Sequence, residues 1–397
     1  MDITKARILV VDDNELNRDM LARRLERAGF DVDMADGGQS GLERILSGAY
    51  KLVMLDIMMP DIDGLTVLKR TRERYSKTEL PVIMATAKDE GSDLAEALSL
   101  GANDYVTKPL DFRVVRARVE NVLGYAQAVD ELTRANERMN RDLEAAARVQ
   151  ASLLPGEPVD IEGAEFIWQY RPCDELAGDG LNVFKHDNEH VAMYVLDVSG
   201  HGVASALLSV SVTHHLSQMI RNPQSAADGE SSAANLVSPA SLARNLNTLF
   251  PMEAVGRHYF TFLYGVLNVK TRLFRFVSAG GPGPLVVHAD GSADVHDVPA
   301  VPIGMFPDSE YEDTFIELQP GDRLYLHTDG LYEERNPGTR EQFGRDRMRK
   351  ELCAAATGPF VTSLDGLFRS ITSWRGSDAL SDDIAVLGCA IHQENPG

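Results

Sequence analysis

Two groups of carboxylates dominate the chemistry open to this 397-residue chain. In the first, Asp12-Asp13 and Asp56 each close a short apolar run, and Thr86 and Lys108 close two more. Carboxylates gathered at one rim repel one another unless a cation sits among them, and oxygen donors this hard suit Mg²⁺. A carboxylate beside such an ion is a nucleophile toward phosphorus. The Lys108 ammonium supplies a point charge for the transferring oxygens, and the Thr86 hydroxyl a hydrogen bond. Alone, each aspartate would read as a strand-end cap; five such positions on successive runs argue for a site. In the second group, Asp179 lies in AGDG, Asp197 opens Asp-Val-Ser-Gly-His-Gly, Asp329 lies in His-Thr-Asp-Gly, and Asp382-Asp383 precedes IAVLGCAI. Glycines after or near these aspartates leave room for close backbone approach. Carboxylates from four separate segments, with few basic residues nearby, form a candidate two-metal site that activates a water and clamps a phosphate for in-line displacement. The plain alternative is turn aspartates beside turn glycines. His201 reads either as a general acid toward a leaving serine oxygen or as a cap on the following helix. His214, His215 and His327 read as ordinary core or surface histidines, and Trp168 and Trp374 as packing.

The elements that must position these groups follow from periodicity. Across 7–124, short apolar runs (Arg7–Val11, Asp31–Ala35, Lys51–Leu55, Pro81–Ala85, Asp104–Val106) alternate with segments of helical period. That alternation predicts a doubly wound α/β domain with five parallel strands in the flavodoxin-like order, its ligand rim at the C-terminal strand ends. From about 112 to 153 there is no proline and one glycine, Gly124, and apolar residues recur mostly at steps of three or four among charged ones. This predicts one long helix with a narrow apolar seam, stopped by Pro155, that pairs with another chain or docks on the next domain. A solvated spacer helix is the alternative. Residues 156–393 group strand-like runs with a few helical segments (203–220, 238–250, 343–356 and 361–374), which predicts an α+β domain of two sheets covered by helices. The stretch Asn222–Ser238, rich in Ser, Ala, Asn and Gly, reads as a mobile loop or insertion.

Composition sets the outer bounds. Lys+Arg total 39 against 60 Asp+Glu, a net charge of -21, so bulk charge will not draw the chain to nucleic acid. No run of about 18 apolar residues predicts a membrane span, and MDITKARILVVDD is not expected to be a signal peptide. Cys173, Cys353 and Cys389 lack metal spacing and read as reduced thiols of a cytoplasmic protein.

The strings VVDDN, LDIMMPDIDG, the Thr in MATA, and GANDYVTKP resemble the receiver domain of two-component response regulators, over residues 5–124. The resemblance implies that Asp56 is the phosphoacceptor. It also implies that Asp12, Asp13, Asp56 and the Met58 carbonyl hold Mg²⁺, that Thr86 and Tyr105 form a switch pair, and that Lys108 binds phosphate. The phosphodonor would be a histidine kinase or phosphotransfer protein. From about 141 to 391, EAAARVQASLLP, AGDG, LDVSGHGVASALL, YFTFLYGVLN, SAGGPGPLV, VPIGM, HTDGLYEERN, FG and SDDIAVL resemble metal-dependent PP2C-type phosphatases, specifically the SpoIIE/RsbU branch. This implies two Mn²⁺ or Mg²⁺ ions held by Asp179, Asp197, the Val198 carbonyl, Asp329 and Asp382, with Asp383 an alternative or additional ligand. It implies a PP2C-like β-sandwich flanked by helices, acting on a phosphorylated STAS anti-anti-sigma protein. Three departures stand out: GDGLN puts Asn182 where a second aspartate is usual, Ala385 replaces a threonine, and SAGGPGP lacks a histidine. They leave open a non-catalytic adaptor that binds a sigma factor or STAS protein under receiver control. The expected organisation is a receiver over 1–124, a coiled-coil linker over 125–154 that forms a homodimer, and a phosphatase domain over 155–393.

Overall fold

The computed structural model describes residues 5–86, 91–156, 159–221 and 237–392. The predicted insertion at Asn222–Ser238 lies almost wholly outside the described residues. The chain divides into two compact units, Met1–Asn140 and Arg141–Gly397.

The first unit runs β1 (Arg7–Val11), α1 (Glu15–Arg27), β2 (Asp31–Ala35), α2 (Gly38–Leu46), β3 (Leu52–Asp56), α3 (Gly64–Arg72), β4 (Val82–Thr86), α4 (Gly91–Leu100), β5 (Asp104–Thr107) and the start of α5 (Phe112–Ala151). The strands are parallel in the order β2-β1-β3-β4-β5, the flavodoxin-like arrangement expected. Helices cover both faces, so β3 and β4 are buried at every position. Alternation along β1 divides the core: Leu9 and Val11 join the face that holds Leu55 and Val67, while Ile8 and Val10 join the face that holds Leu25 and Val115. Asn14 caps α1 by accepting from the Leu16 and Asn17 amides, which starts the helix three residues after Asp12. Gly64 lets the chain turn back after β3, since a Cβ there would stand 2.1 Å from the Asp56 carbonyl oxygen.

Helix α5 is 40 residues long and ends four residues before Pro155. Val115, Val119 and Leu123 are buried with Ile8 and Val10. Beyond them the seam emerges: Tyr125 is 65% exposed, Leu132 71% and Met139 57%.

The second unit contains β6 (Ala164–Arg171), β7 (Gly180–Lys185), β8 (His190–Val198), α6 (Val203–Arg221), α7 (Pro239–Leu249), β9 (Phe260–Asn268), β10 (Leu273–Ala279), β11 (Leu285–Val287), β12 (Ala293–Val295), β13 (Thr314–Glu317), β14 (Arg323–His327), α8 (Gly330–Glu333), α9 (Arg345–Ala354), α10 (Ser363–Arg375) and β15 (Ile384–Ile391). Two antiparallel five-stranded sheets, β13-β10-β9-β8-β7 and β12-β11-β14-β15-β6, pack face to face. Val195, Leu263 and Phe276 of one sheet meet Leu324, Leu326 and Leu387 of the other. The outer face of the first sheet is covered by Val212, Leu216, Leu242 and Leu246 of α6 and α7; that of the second is covered by Leu352, Leu367 and Ile371 of α9 and α10. This is the helix-flanked β-sandwich expected, with β7, β12 and the one-turn α8 in addition.

Candidate functional sites

In the first unit, the loop after β1 and the end of β3 bring Asp12, Asp13 and Asp56 together, with ligand oxygens all within 4.8 Å of one another. Lys108 reaches in from beyond β5, its Nζ 2.7 Å from Asp56 Oδ2 and 3.0 Å from Asp12 Oδ2. Burial pushes the Asp56 pKa up, and Asp12 and Asp13 add to this, while Lys108 pulls it down; the net result is a raised value. Burial acts on Lys108 in the opposite sense, but its bonds and charge attraction to Asp56 and Asp12 prevail and raise its pKa. Three carboxylates facing one ammonium leave net negative charge at the rim, which fits a hard divalent cation. Thr86 ends β4 and is buried. Tyr105 lies on β5, half-buried, with the Arg118 guanidinium 5.3 Å from its ring centre. Met58 lies in the exposed turn after β3.

In the second unit, Asp179 precedes β7, Asp197 is the penultimate residue of β8, Asp329 follows β14 and begins α8, and Asp382-Asp383 precedes β15. All four segments bring charge to one place. Burial raises the Asp197 pKa to about 7, with the charges of Asp329 and Asp382 adding to it and a hydrogen bond from Asp179 opposing. Asp329 rises to about 6 through burial and the charges of Glu333 and Asp382. Asp179 is raised well above the ordinary range, by burial and then by Asp197, with a Thr328 hydrogen bond pulling the other way. Burial also raises Asp382. These carboxylates do not form a group of three with oxygens all within 4.8 Å; among the described residues only the first site does. Carboxylates that bring negative charge from four segments to one place fit divalent cations.

The backbone around this cluster is built for closeness. A Cβ on Gly330 would stand 2.0 Å from the Asp383 carbonyl oxygen, and one on Gly178 2.9 Å from the Val198 carbonyl oxygen. Tyr170 Oη and Ser209 Oγ both donate to the Asp179 carbonyl, at 3.2 and 3.1 Å. His258 bonds the Ser199 carbonyl through Nδ1 at 2.7 Å, and the Ser199 hydroxyl accepts from the Tyr259 amide, which pins the turn after Asp197.

A family profile described as Stage II sporulation protein E (SpoIIE) matches residues 187–392, just over half of the chain. The chain belongs to the SpoIIE family. A second profile, the response regulator receiver domain, matches residues 8–120. Among curated relatives, the transcriptional regulatory protein DltR of Streptococcus agalactiae (serotype III, strain NEM316) is 41% identical over 138 residues, covering 34% of this chain and 61% of DltR. The alkaline phosphatase synthesis transcriptional regulatory protein PhoP of Bacillus subtilis (strain 168) is 44% identical over 117 residues, 30% of this chain and 48% of PhoP. The match thus spans about half to three fifths of these relatives' length. Among solved structures, the SiaA-PP2C domain of Pseudomonas aeruginosa superposes with a TM-score of 0.53 at 17% identity, covering 66% of this chain and 99% of that one, which shows the PP2C fold. The chain therefore joins a response-regulator receiver to a SpoIIE-family PP2C domain. Domains of both kinds are generally dependent on divalent metals, and a receiver implies a phosphodonor such as a histidine kinase. No helix among the described residues is long and apolar enough to cross a membrane.

Within the SpoIIE-family domain, most of the expected aspartates come together and one takes a different job. Both oxygens of Asp383 accept backbone amides: Oδ1 from Cys173 at 2.8 Å and Oδ2 from Gly178 at 2.7 Å. Asp383 thus fastens the segment leading to Asp179, while Asp382 is exposed and its charge acts on Asp197 and Asp329. His201 is apart from the cluster's bonding: its side chain is 80% exposed, with Nδ1 3.7 Å from Asp174 Oδ2. Asn182 donates to the Leu153 carbonyl at 2.8 Å, so the departure from aspartate ties β7 to the residues after α5. Sequence reasoning missed Thr328, whose hydroxyl donates to Asp179 Oδ2 at 2.7 Å and accepts from the Ala385 amide at 3.0 Å. Its place beside Asp329 in His-Thr-Asp-Gly was the available signal.

Proposed function

We propose that the chain is a response regulator whose output is a metal-dependent protein serine/threonine phosphatase acting on a phosphoserine STAS anti-anti-sigma protein. The supporting observation is the cluster of buried Asp179, half-buried Asp197 and Asp329 and exposed Asp382, whose pKa values are all raised, within a SpoIIE-family fold. With the Val198 carbonyl, these residues would hold two Mn²⁺ or Mg²⁺ ions, which supply Lewis acidity and a water ionised near neutral pH. The chain's own residues do the remainder. Thr328 fixes Asp179, Asp383 fixes the segment before it, and His258 fixes the turn after Asp197. As a water oxygen bonds to phosphorus, the bond to the serine oxygen breaks, and His201 is the titratable donor proposed for the proton that oxygen requires.

In the receiver, Asp12, Asp13, Asp56 and the Met58 carbonyl would hold Mg²⁺. An Asp56 oxygen bonds to phosphorus as the phosphohistidine P–N bond of the kinase or phosphotransfer protein breaks. Lys108 neutralises the phosphoryl oxygens, and Thr86 and Tyr105 form the switch pair. The units are a receiver over 1–124, a linker helix over 125–154 that pairs with a second copy, and a phosphatase domain over 155–393, in a cytoplasmic protein.

The test is Mn²⁺-dependent hydrolysis of p-nitrophenyl phosphate and of phosphorylated STAS proteins, with Asp329→Asn as control. Turnover should require the metal and fall at least about a hundredfold in the variant. Turnover unchanged by Asp329→Asn, or none with either metal, overturns the catalytic reading in favour of a non-catalytic adaptor. Hydrolysis of the small ester alone overturns only the STAS assignment.

A further inference from the structure

Glu334 is a charged residue that the catalytic reading does not use, and it is 0% exposed. A carboxylate removed from water this completely persists only when its oxygens are filled with donors. Here both are. Oε1 accepts from the Ser381 amide at 2.7 Å and the Asp382 amide at 3.3 Å; Oε2 accepts from the Ser381 hydroxyl at 3.0 Å and from the Arg375 guanidinium. Arg375 is the last residue of α10, and Glu334 follows the single turn of α8 that begins at Asp329. One buried side chain therefore grips two consecutive amides of the segment carrying Asp382, and its own backbone is five residues beyond Asp329. Asp382 in turn accepts the Asp383 amide at 2.9 Å, and Asp383 holds the Cys173 and Gly178 amides.

We propose that Glu334, held by Arg375, is a positioning residue that sets the register of the Ser381–Asp383 turn and thereby fixes Asp382 at the metal site. The proposal rests on the reading that Asp382 is a metal ligand. Glu334 touches no substrate and reaches the ion only through Asp382. Its role is to keep the Asp382 carboxylate from rotating out of a cluster whose like charges drive its members apart when no cation is bound. Outer groups that orient ligands typically change metal affinity by about 10- to 100-fold when lost. Glu334→Gln is the sharpest probe: it keeps size and shape but puts an NH₂ among four donors where one oxygen accepted.

The experiment uses the full chain with Asp12→Ala and Asp13→Ala, so that the receiver site does not compete, and measures Mn²⁺ binding by calorimetry and electron paramagnetic resonance. Beside that parent stand Asp382→Asn, Glu334→Gln, Arg375→Gln, Arg375→Lys and Ser381→Ala. Thermal melting in chelator is recorded for each. Expected results are loss of Mn²⁺ binding with Asp382→Asn and at least about a tenfold weaker Kd with Glu334→Gln and Arg375→Gln. Arg375→Lys should recover part of that loss. Ser381→Ala, which leaves both amides in place, should move Kd least. If Asp382→Asn binds Mn²⁺ like the parent, the ligand reading itself fails. If Asp382→Asn loses the metal but Arg375→Gln and Glu334→Gln keep the parental Kd with only a lowered melting point, Glu334 is structural and the proposal is overturned. Should Glu334→Gln not fold, the Arg375 pair decides the question.

Discussion

Carboxylates held together without a cation repel one another, and the SpoIIE-family domain gathers four of them, Asp179 buried, Asp197 and Asp329 half-buried and Asp382 exposed. Each hydrogen bond they receive can be read as orientation supplied in advance. Thr328 is the clearest case, because its hydroxyl joins Asp179 to the start of β15 through the Ala385 amide. Thr328→Val keeps the shape and removes the donor, so turnover with saturating substrate should fall about tenfold, and Thr328→Ser should restore most of it. A Val variant as active as the parent would mean Asp179 is held well enough by other contacts. At this scale the sequence revealed the aspartates, since each lies next to or at the end of a strand-like run, Asp179 and Asp329 beside a glycine as well. It did not reveal which residues orient them. Thr328, Glu334 and Asp383 are polar residues beside more conspicuous ones, and only three-dimensional pairing separates a ligand from the group that holds it. Asp382 and Asp383 look equivalent in sequence and differ in surroundings: Asp383 is buried with both oxygens on the Cys173 and Gly178 amides, whereas Asp382 is exposed.

Long periodicity made the elements legible, and short mixed strands hid. The five parallel strands and the long helix are apolar or strictly periodic over many residues. By contrast β7, Gly-Leu-Asn-Val-Phe-Lys, is brief and broken by Asn182, so it carried no signal although it lies directly after Asp179. In α5 the exposed seam has coiled-coil spacing: Val129, Asn136 and Leu143 recur at seven, and Leu132, Met139 and Ala146 follow each by three. These are the a and d positions of a heptad, with one asparagine at a, the device that fixes register and strand number in parallel pairs. Leu132 and Met139 are exposed by 71% and 57% in a single chain, and pairing would bury them, at about 1.5–3 kcal/mol for a fully covered side chain. Light scattering should therefore report a dimer for the parent and a shift to monomer for Leu132→Lys with Met139→Lys. Asn136→Val should keep or strengthen association while loosening its register, seen as mixed cross-linking products between cysteines placed along the helix. A monomeric parent would leave the exposed stripe without a partner.

For the whole molecule, the question is whether chemistry at Asp56 reaches the phosphatase. Helix α5 is the one element that contributes to both units. Its Val115, Val119 and Leu123 belong to the receiver core. Near its other end, the Gln150 side chain donates to the Ala177 carbonyl at 2.6 Å and accepts the Ala177 amide at 3.2 Å, two residues before Asp179. Regulation requires two states of this connection that differ in how well they hold the metal carboxylates, and the effect on turnover cannot exceed the free-energy difference phosphorylation makes between them. A coupling of about 1–3 kcal/mol corresponds to roughly a 5- to 150-fold change in an equilibrium. Treatment with acetyl phosphate should therefore change Mn²⁺-dependent turnover by at least about fivefold, upward or downward, and Asp56→Asn should remove both the labelling and the change. Gln150→Ala should uncouple the two: Asp56 is still labelled, but phosphorylated and unphosphorylated protein turn over at the same rate. A phosphorylation response that survives Gln150→Ala would place the connection elsewhere. Equal turnover with and without acetyl phosphate in the parent, at full labelling of Asp56, would mean the two domains share a chain without sharing a switch.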